Sequence, residues 1–417
     1  MTDLRVHHRG VDRGPARSAW CGLAVAGLLG LLAAPVVAQA PYRSSYFPYV
    51  IGNPADGVML VARWQRTQNA PYFISQSDDR DVINPVTFRG AFSIEAGMGT
   101  SGSRFGRVEF RGPAIVDGWR FRGYLAAERH AKLAYYGLGG DYERTGVVAD
   151  PNSDEFRIRR VRYVAQGEVT RRIAGPLRFA VGASFDHTEL IPFSSMGDLP
   201  MEPRSRFRTD VGGDFERSNL IVRPALVLDT RDREFTPGNG VLLEVGGGLG
   251  TGGSRGTFGV AGETQSYGLF YTHLRGYVSP REGTVVAGRV LFRALDDEAP
   301  LSARFTIPGW ERELATAGAE GHRSFPLGAL AGSRFTLASL ELRHDLLNAG
   351  DFGAITVLGF ADWAQSRDDR ALTFDRTSQF GGGGGVAVRV LRSAILTANF
   401  AGGANGFNFS MGTGWTF

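Results

Sequence analysis

The chain has 417 residues, 58 of them glycine, about twice the usual share. With 43% apolar and 11% aromatic residues and no Gly-X-Y period, this excess fits neither a collagen-like nor a disordered chain. Forty-six basic against 42 acidic residues leave a formal charge of +4, too even a balance to argue for a nucleic-acid partner.

In chain order, residues 1–40 read as an address. Arg5, Arg9, Arg13 and Arg17 precede an apolar run from Gly22 to Ala34, and small residues from Val36 to Ala40 follow at cleavage spacing. That is the three-part pattern of a secretory signal peptide. The run is shorter than the roughly 20 residues that a helix needs to span hydrocarbon. Cleavage after Ala38 or Ala40 removes Cys21, the one cysteine, leaving no disulfide, thiolate metal site or cysteine nucleophile. Residues 41–56 then read as a short periplasmic segment ahead of a single domain over 57–417.

Within that domain apolar residues recur with period two. Phe88, Phe92, Ile94 and Met98 alternate with Arg89, Ser93, Glu95 and Gly97; Leu177, Phe179, Val181 and Phe185 alternate with Arg178, Ala180, Ser184 and Asp186. Strands follow at 56–66, 85–98, 104–112, 119–129, 156–170, 176–188, 219–229, 240–250, 265–278, 283–294, 335–346, 352–364, 381–392, 394–402 and 407–417. Tight connections such as Arg171 to Gly175, Ser279 to Glu282 and Arg392 to Ser393 alternate with long ones, Lys132 to Glu155, His187 to Arg217 and Asp296 to Arg334. This pattern predicts an all-β fold, a transmembrane antiparallel β-barrel with short periplasmic turns and long extracellular loops. Closure with both ends on one side needs an even strand number. A sixteenth strand is therefore expected between Thr67 and Ile83, around Tyr72-Phe73-Ile74. Glu311 to Ala319 is the one stretch with a helical pattern.

The period also assigns faces. Phe92, Phe179 and Phe409 should meet hydrocarbon, and Ser93, Ala180 and Ser410 the lumen. On strand 335–346 the charged face, with Glu341 and Arg343, must be the lumen. The final strand, with Trp415 and Phe417, reads as ending outward-facing, as a C-terminal assembly signal would.

Leu228 to Gly240 (LDTRDREFTPGNG) leaves one strand and enters the next. Pro237 fixes φ, Gly238 and Gly240 permit positive φ, and Asp229, Arg231 and Asp232 can bond freed backbone groups. The segment resembles the Asp-Thr-Arg-Asp to Pro-x-x-Gly motif of the bacterial surface antigen family, the BamA- and TamA-like barrels of the outer-membrane assembly superfamily. Tyr135-Tyr136-Gly137-Leu138-Gly139-Gly140 is similar to that family's aromatic-Gly-x-Gly loop. Gly321-His322-Arg323-Ser324-Phe325 resembles its Arg-Gly-aromatic loop tip, with Ser324 where the family has glycine. Glu341 and Asp362, the latter in Phe360-Ala361-Asp362, match its acidic strand positions. The resemblance implies that the loop from Asp296 to Arg334 folds into the lumen, where Arg323 meets Asp362, Glu341 or both, with Phe325 beside it. The named family members carry periplasmic POTRA domains, for which residues 41–56 leave no room.

The implied function is insertion or translocation of protein or lipid at the bacterial outer membrane. A passive channel and a surface binding or structural barrel are the alternatives. The partners implied are outer-membrane lipids and lipopolysaccharide, the assembly machinery for the chain's own insertion, and a periplasmic protein. No enzyme, metal or cofactor pattern stands out. Gly248 to Gly253 satisfies G-x-G-x-x-G with no helix to follow, and His130, His187, His273, His322 and His344 show no ligand spacing.

Overall fold

The computed structural model describes residues 42–69, 88–139, 154–192, 205–211, 215–255, 264–349, 353–368, 377–390, 394–403 and 406–417. Sixteen strands close into one antiparallel barrel. In chain order they are β1 (Tyr42–Asn53), β2 (Gly57–Asn69), β3 (Phe88–Gly99), β4 (Arg104–Val116), β5 (Trp119–Ala134), β6 (Arg157–Ala174), β7 (Leu177–Pro192), β8 (Phe215–Asp229), β9 (Gly240–Arg255), β10 (Thr264–Arg281), β11 (Thr284–Leu295), β14 (Arg334–Asn348), β15 (Gly353–Arg367), β16 (Thr377–Val390), β17 (Ala394–Gly403) and β18 (Gly406–Thr413). Between β11 and β14 lie two short paired strands, β12 (Thr306–Ile307) and β13 (Leu314–Ala315), outside the wall. A short helix, α1 (Arg206–Val211), falls between β7 and β8.

Every wall strand predicted from the period of two is present, because alternation is what a wall with lipid on one side and a filled lumen on the other requires. Phe179 is 41% exposed on the outer face while Ala180 is 2% exposed on the inner one. On β14, Phe335, Leu337, Ser339, Glu341 and Arg343 are buried inward, and Leu340 and Leu342 face out.

Three expectations need correction. Residues 41–56 are not a periplasmic segment: Tyr42–Asn53 is β1, the sixteenth strand, paired along its length with β2. Its outward row, Tyr42, Ser44, Tyr46, Pro48, Val50 and Gly52, mixes large with small or polar residues, and its other row carries Phe47, Tyr49 and Ile51, so no period of two stands out. Of the stretch where that strand was expected, Thr67 to Asn69 belong to β2 and the remainder lies outside the described residues. Glu311 to Ala319 is not helical; it runs through β13 and bends, its backbone bonded within the loop, where Leu314 and Ala315 pair with β12 and the N–H of Thr316 donates to the carbonyl of Phe305.

Connections on the rim where β1 begins and β18 ends include the tight turns at 117–118, 175–176 and 282–283. The opposite rim carries the long segments 135–156, 193–214 and 296–333, and is the extracellular one by this asymmetry. The division is not strict, since residues 54–56 and 100–103 are short turns on the long-loop rim. Glycine on β9 has a packing role: a Cβ at Gly246 or Gly250 would collide with the rings of Tyr271 and Tyr267, their registered partners on β10. Gly248 to Gly253 therefore lies within a strand, with Gly250 under Tyr267 and Gly248 and Gly252 against the carbonyls of Val222 and Ser218.

Candidate functional site: the inward loop and the strand seam

The loop between β11 and β14 turns into the lumen. Its Ile307, Trp310, Leu314, Ala317, Phe325, Ala329 and Leu330 share one buried cluster with wall residues of β7 to β11, β14 and β15. This apolar seating leaves polar groups of the loop needing partners in a place where an unpaired one is expensive, and the wall supplies them at two depths.

At the first, the Arg323 guanidinium donates through Nε and Nη2 to the two oxygens of Asp362, both at 2.8 Å, and its backbone N–H adds a third bond at 3.0 Å. Nη1 donates to Glu341. The guanidinium also stacks on Phe360, 3.5 Å from the ring centroid. Glu341 accepts in turn from Arg343 at 2.6 Å, and Arg343 donates to the carbonyl of Phe417 at 2.6 Å. A chain of alternating charges thus runs from β15 through the loop tip to β14 and the end of the chain. Phe325 is buried edge-on to His322 at 5.0 Å.

Ser324, where the resemblance leads one to expect glycine, fits because the wall has no side chains opposite it. Its hydroxyl donates to the carbonyl of Gly402 at 3.0 Å, and a Cβ at Gly381 would overlap it. Sequence reasoning missed Asn408 of β18, whose amide donates to the carbonyls of Arg323 at 2.8 Å and Phe325 at 3.0 Å. It also missed Arg289, which donates to the carbonyls of Glu320 and Gly321 at 2.7 and 2.8 Å. A lone Asn or Arg on an alternating strand carries no signal of what it faces.

At the second depth the loop reaches the β8–β9 turn. Arg231 holds Asp229 through two bonds of 2.9 and 3.1 Å and reaches up to Glu311 at 2.6 Å; Glu311 also accepts from Arg275 at 2.6 Å. Trp310 donates to Thr170 at 2.8 Å. Asp232 caps the turn by accepting from the N–H of Gly238 at 2.9 Å, with Pro237 buried. Gly240 has φ +108°, and a Cβ there would run into the Thr230 carbonyl. Asp229 and Arg231, read as turn chemistry, thus also ground the loop.

The final residues depart from expectation. The chain leaves β18 at Gly414, whose φ of +82° turns it inward. Phe417 is buried against Tyr277 and Ala287 instead of facing out. Trp415 lies under Arg343, 4.3 Å from its ring centroid, and packs on the inner side of β15 to β17. Lumenal guanidiniums offer these rings cation–π partners, whereas the outward course would need a ladder on β1.

That ladder is scant. β18 pairs with β17 from Leu396↔Thr413 to Gly403↔Gly406, but with β1, among the described residues, only at Gly52↔Met411. The loop tip grips β14, β15, β17 and β18, all on one side of this seam. On the other side β1 is steadied by its turn to β2. There Asp56 accepts from Asn53 at 2.9 Å and meets His130 at 2.9 Å. Burial alone would raise the Asp56 carboxyl, but His130, Asn53 and Ser103 bring it down to about 2.

A family model described as the Omp85 superfamily domain matches residues 89–415. Among solved structures, BamA from Haemophilus ducreyi lacking POTRA domains 1-3 is similar with TM-score 0.50 and 14% identity over 90% of this chain and 70% of that one. CdiB from Escherichia coli is similar with TM-score 0.53 and 9% identity over 90% of this chain; this chain spans 63% of its length. At these identities the likeness is one of fold. No curated protein sequence matches.

Proposed function

Since this chain belongs to the Omp85 superfamily and is a barrel of the bacterial outer membrane, we propose that it inserts or translocates protein or lipid there by opening the seam between β1 and β18. The observation that carries this reading is the single registered pair at Gly52↔Met411. An edge strand presents unpaired N–H and C=O groups, costly in lipid and ready to pair with an incoming extended segment. The loop tip supports the same reading by its one-sidedness. Arg323, Ser324 and the Asn408 contacts fasten the β14–β18 side as a rigid jaw, leaving β1 free to swing.

In this reading the chain works without covalent chemistry or a cofactor. Its partners are outer-membrane lipids and lipopolysaccharide, the assembly machinery that inserts the chain itself, and a periplasmic protein that delivers the client. A passive channel fits less well, because the loop packs on the wall at two depths and the tail crosses beneath it.

The test is reconstitution of the full chain into lipid vesicles with a urea-unfolded outer-membrane barrel as client, following the client's conversion to a heat-modifiable form. Conversion should be faster than with vesicles holding a closed eight-stranded barrel. Equal rates would remove the basis for the proposal.

A further inference from the structure

The outer wall carries an unbalanced charge at one place. Arg104 opens β4 just after the turn at 100–103, and Arg129 and Arg159 lie on the adjoining strands near the same rim, where long segments leave the barrel. Arg104 and Arg129 are registered directly opposite one another. Their parity is that of Val108, Leu125 and Tyr163, so the side chains point outward. Arg159 shares the parity of Val161 and Tyr163 one step further along β6. Like charges directly opposed across two strands destabilise a sheet. Among the described residues none of the three makes an ion pair, and the Nε of Arg159 is shut off from solvent with no bonding partner. The nearest outward carboxylate, Glu189 on β7, lies two strands from Arg129 and diagonally across from Arg159, but it is registered opposite a second acid, Glu216, contacts His187 at 3.4 Å and forms no ion pair with any of the three.

Depth identifies what balances the charge. Beneath the arginines the registered rows read Gly106, Ala127 and Tyr163, then Val108, Leu125 and Ala165, then Phe110, Gly123 and Gly167. Tyr163 is 50% exposed and sits where an interfacial aromatic belongs, between apolar wall and charged rim. The arginines are therefore at the level of the outer-leaflet headgroups. The guanidinium fork matches a phosphate in plane and number of donors, and adjacent forks can share one phosphate or bridge two.

We propose that Arg104, Arg129 and Arg159 bind the phosphates of lipopolysaccharide, fixing one lipid on the outer wall over β4 to β6. The proposal rests on the lipid partnership proposed above and names its site. Two further strands, β2 and β3, separate this site from β1, so the bound lipid would stand beside the mobile side of the seam.

The experiment titrates the full chain in detergent with bis-phosphorylated lipid A, with dephosphorylated lipid A and with inorganic phosphate. Native mass spectrometry counts bound molecules. Two variants are compared: Arg104→Gln/Arg129→Gln/Arg159→Gln, and Arg129→Glu alone. The second turns a like-charge pair into an opposite one, so it should keep its fold, with the heat-modifiable gel shift as the check. Wild type should bind bis-phosphorylated lipid A about tenfold or more tightly than either variant does, and than it binds the dephosphorylated form. Unchanged affinity in folded Arg129→Glu, or indifference to the phosphates, would overturn the site. Displacement of lipid A by millimolar inorganic phosphate would overturn the lipid assignment. Client insertion is read separately, so loss of insertion with lipid binding intact would count against the seam alone.

Discussion

Among single residues, Arg323 does most to hold the loop inside the lumen. Its five donors meet two carboxylates, and lysine, a point charge on a flexible stem, cannot reproduce the fork on Asp362. Removing one partner of a buried, hydrogen-bonded ion pair costs roughly 3–5 kcal/mol. Arg323→Lys should therefore lower the temperature at which the barrel loses its compact migration in SDS nearly as far as Arg323→Ala does. Combining Arg323→Ala with Asp362→Ala should cost well under the sum of the two, and simple additivity would show that they do not act as a unit. Ser324 gives a steric counterpart. Gly381→Ala should destabilise by about 1–3 kcal/mol, as overpacking does, and Ser324→Gly should recover part of that in the double variant; no recovery would mean that Ser324 is not what the added methyl meets. Asp56 supplies the pH dependence. Its carboxyl sits at about 2 in the folded chain against an ordinary 3.8, so it contributes stability above the ordinary value that is lost as pH falls from there through its folded value. Thermal melting followed by dichroism should show wild type losing stability relative to Asp56→Asn between those two values. Parallel curves would contradict this.

At the element scale, alternation made the wall legible. At Phe185, midway along β7 and 47% exposed on the outer face, Phe185→Arg should cost roughly 2–4 kcal/mol, while Phe185→Leu should be nearly neutral, as judged by urea unfolding in lipid vesicles. Similar small costs for both would mean the face is not in lipid. Ala180, on the inner face of the same strand, is not a tolerant site, because it belongs to the core shared by wall and loop. What the alternation failed to give has a common cause. β1 escaped because Pro48, Gly52 and a run of serines blur its period, and the final strand was extended too far because Trp415 and Phe417 keep the period after Gly414 has turned the chain inward. In both cases the deciding contact is with a partner distant in sequence. The loop tip is legible for a different reason: its Arg-x-aromatic triplet and the acidic residues Glu341 and Asp362 carry the family resemblance, and the resemblance implies that they meet in the lumen. Its second foothold, Glu311 on Arg231 and Arg275, had no comparable pattern, since the same residues also make a self-sufficient turn.

At the scale of the whole molecule, the barrel is closed everywhere by long ladders except between its first and last strands. The loop tip braces the β14–β18 side of that gap, while on the other side the loop's footholds stop at β5 and β6, at Arg122, Arg162 and Thr170, and the last residues are spent inside the lumen, where Arg289 and Arg343 hold them, instead of lengthening the seam. Insertion by this barrel requires the seam to part. Gly52→Cys with Met411→Cys places two thiols at the one registered pair, within disulfide reach for directly opposed antiparallel residues. Client insertion into vesicles by this variant should stop on oxidation and return on reduction, with compact migration in SDS unchanged. Full insertion by the oxidised, crosslinked barrel would contradict the account.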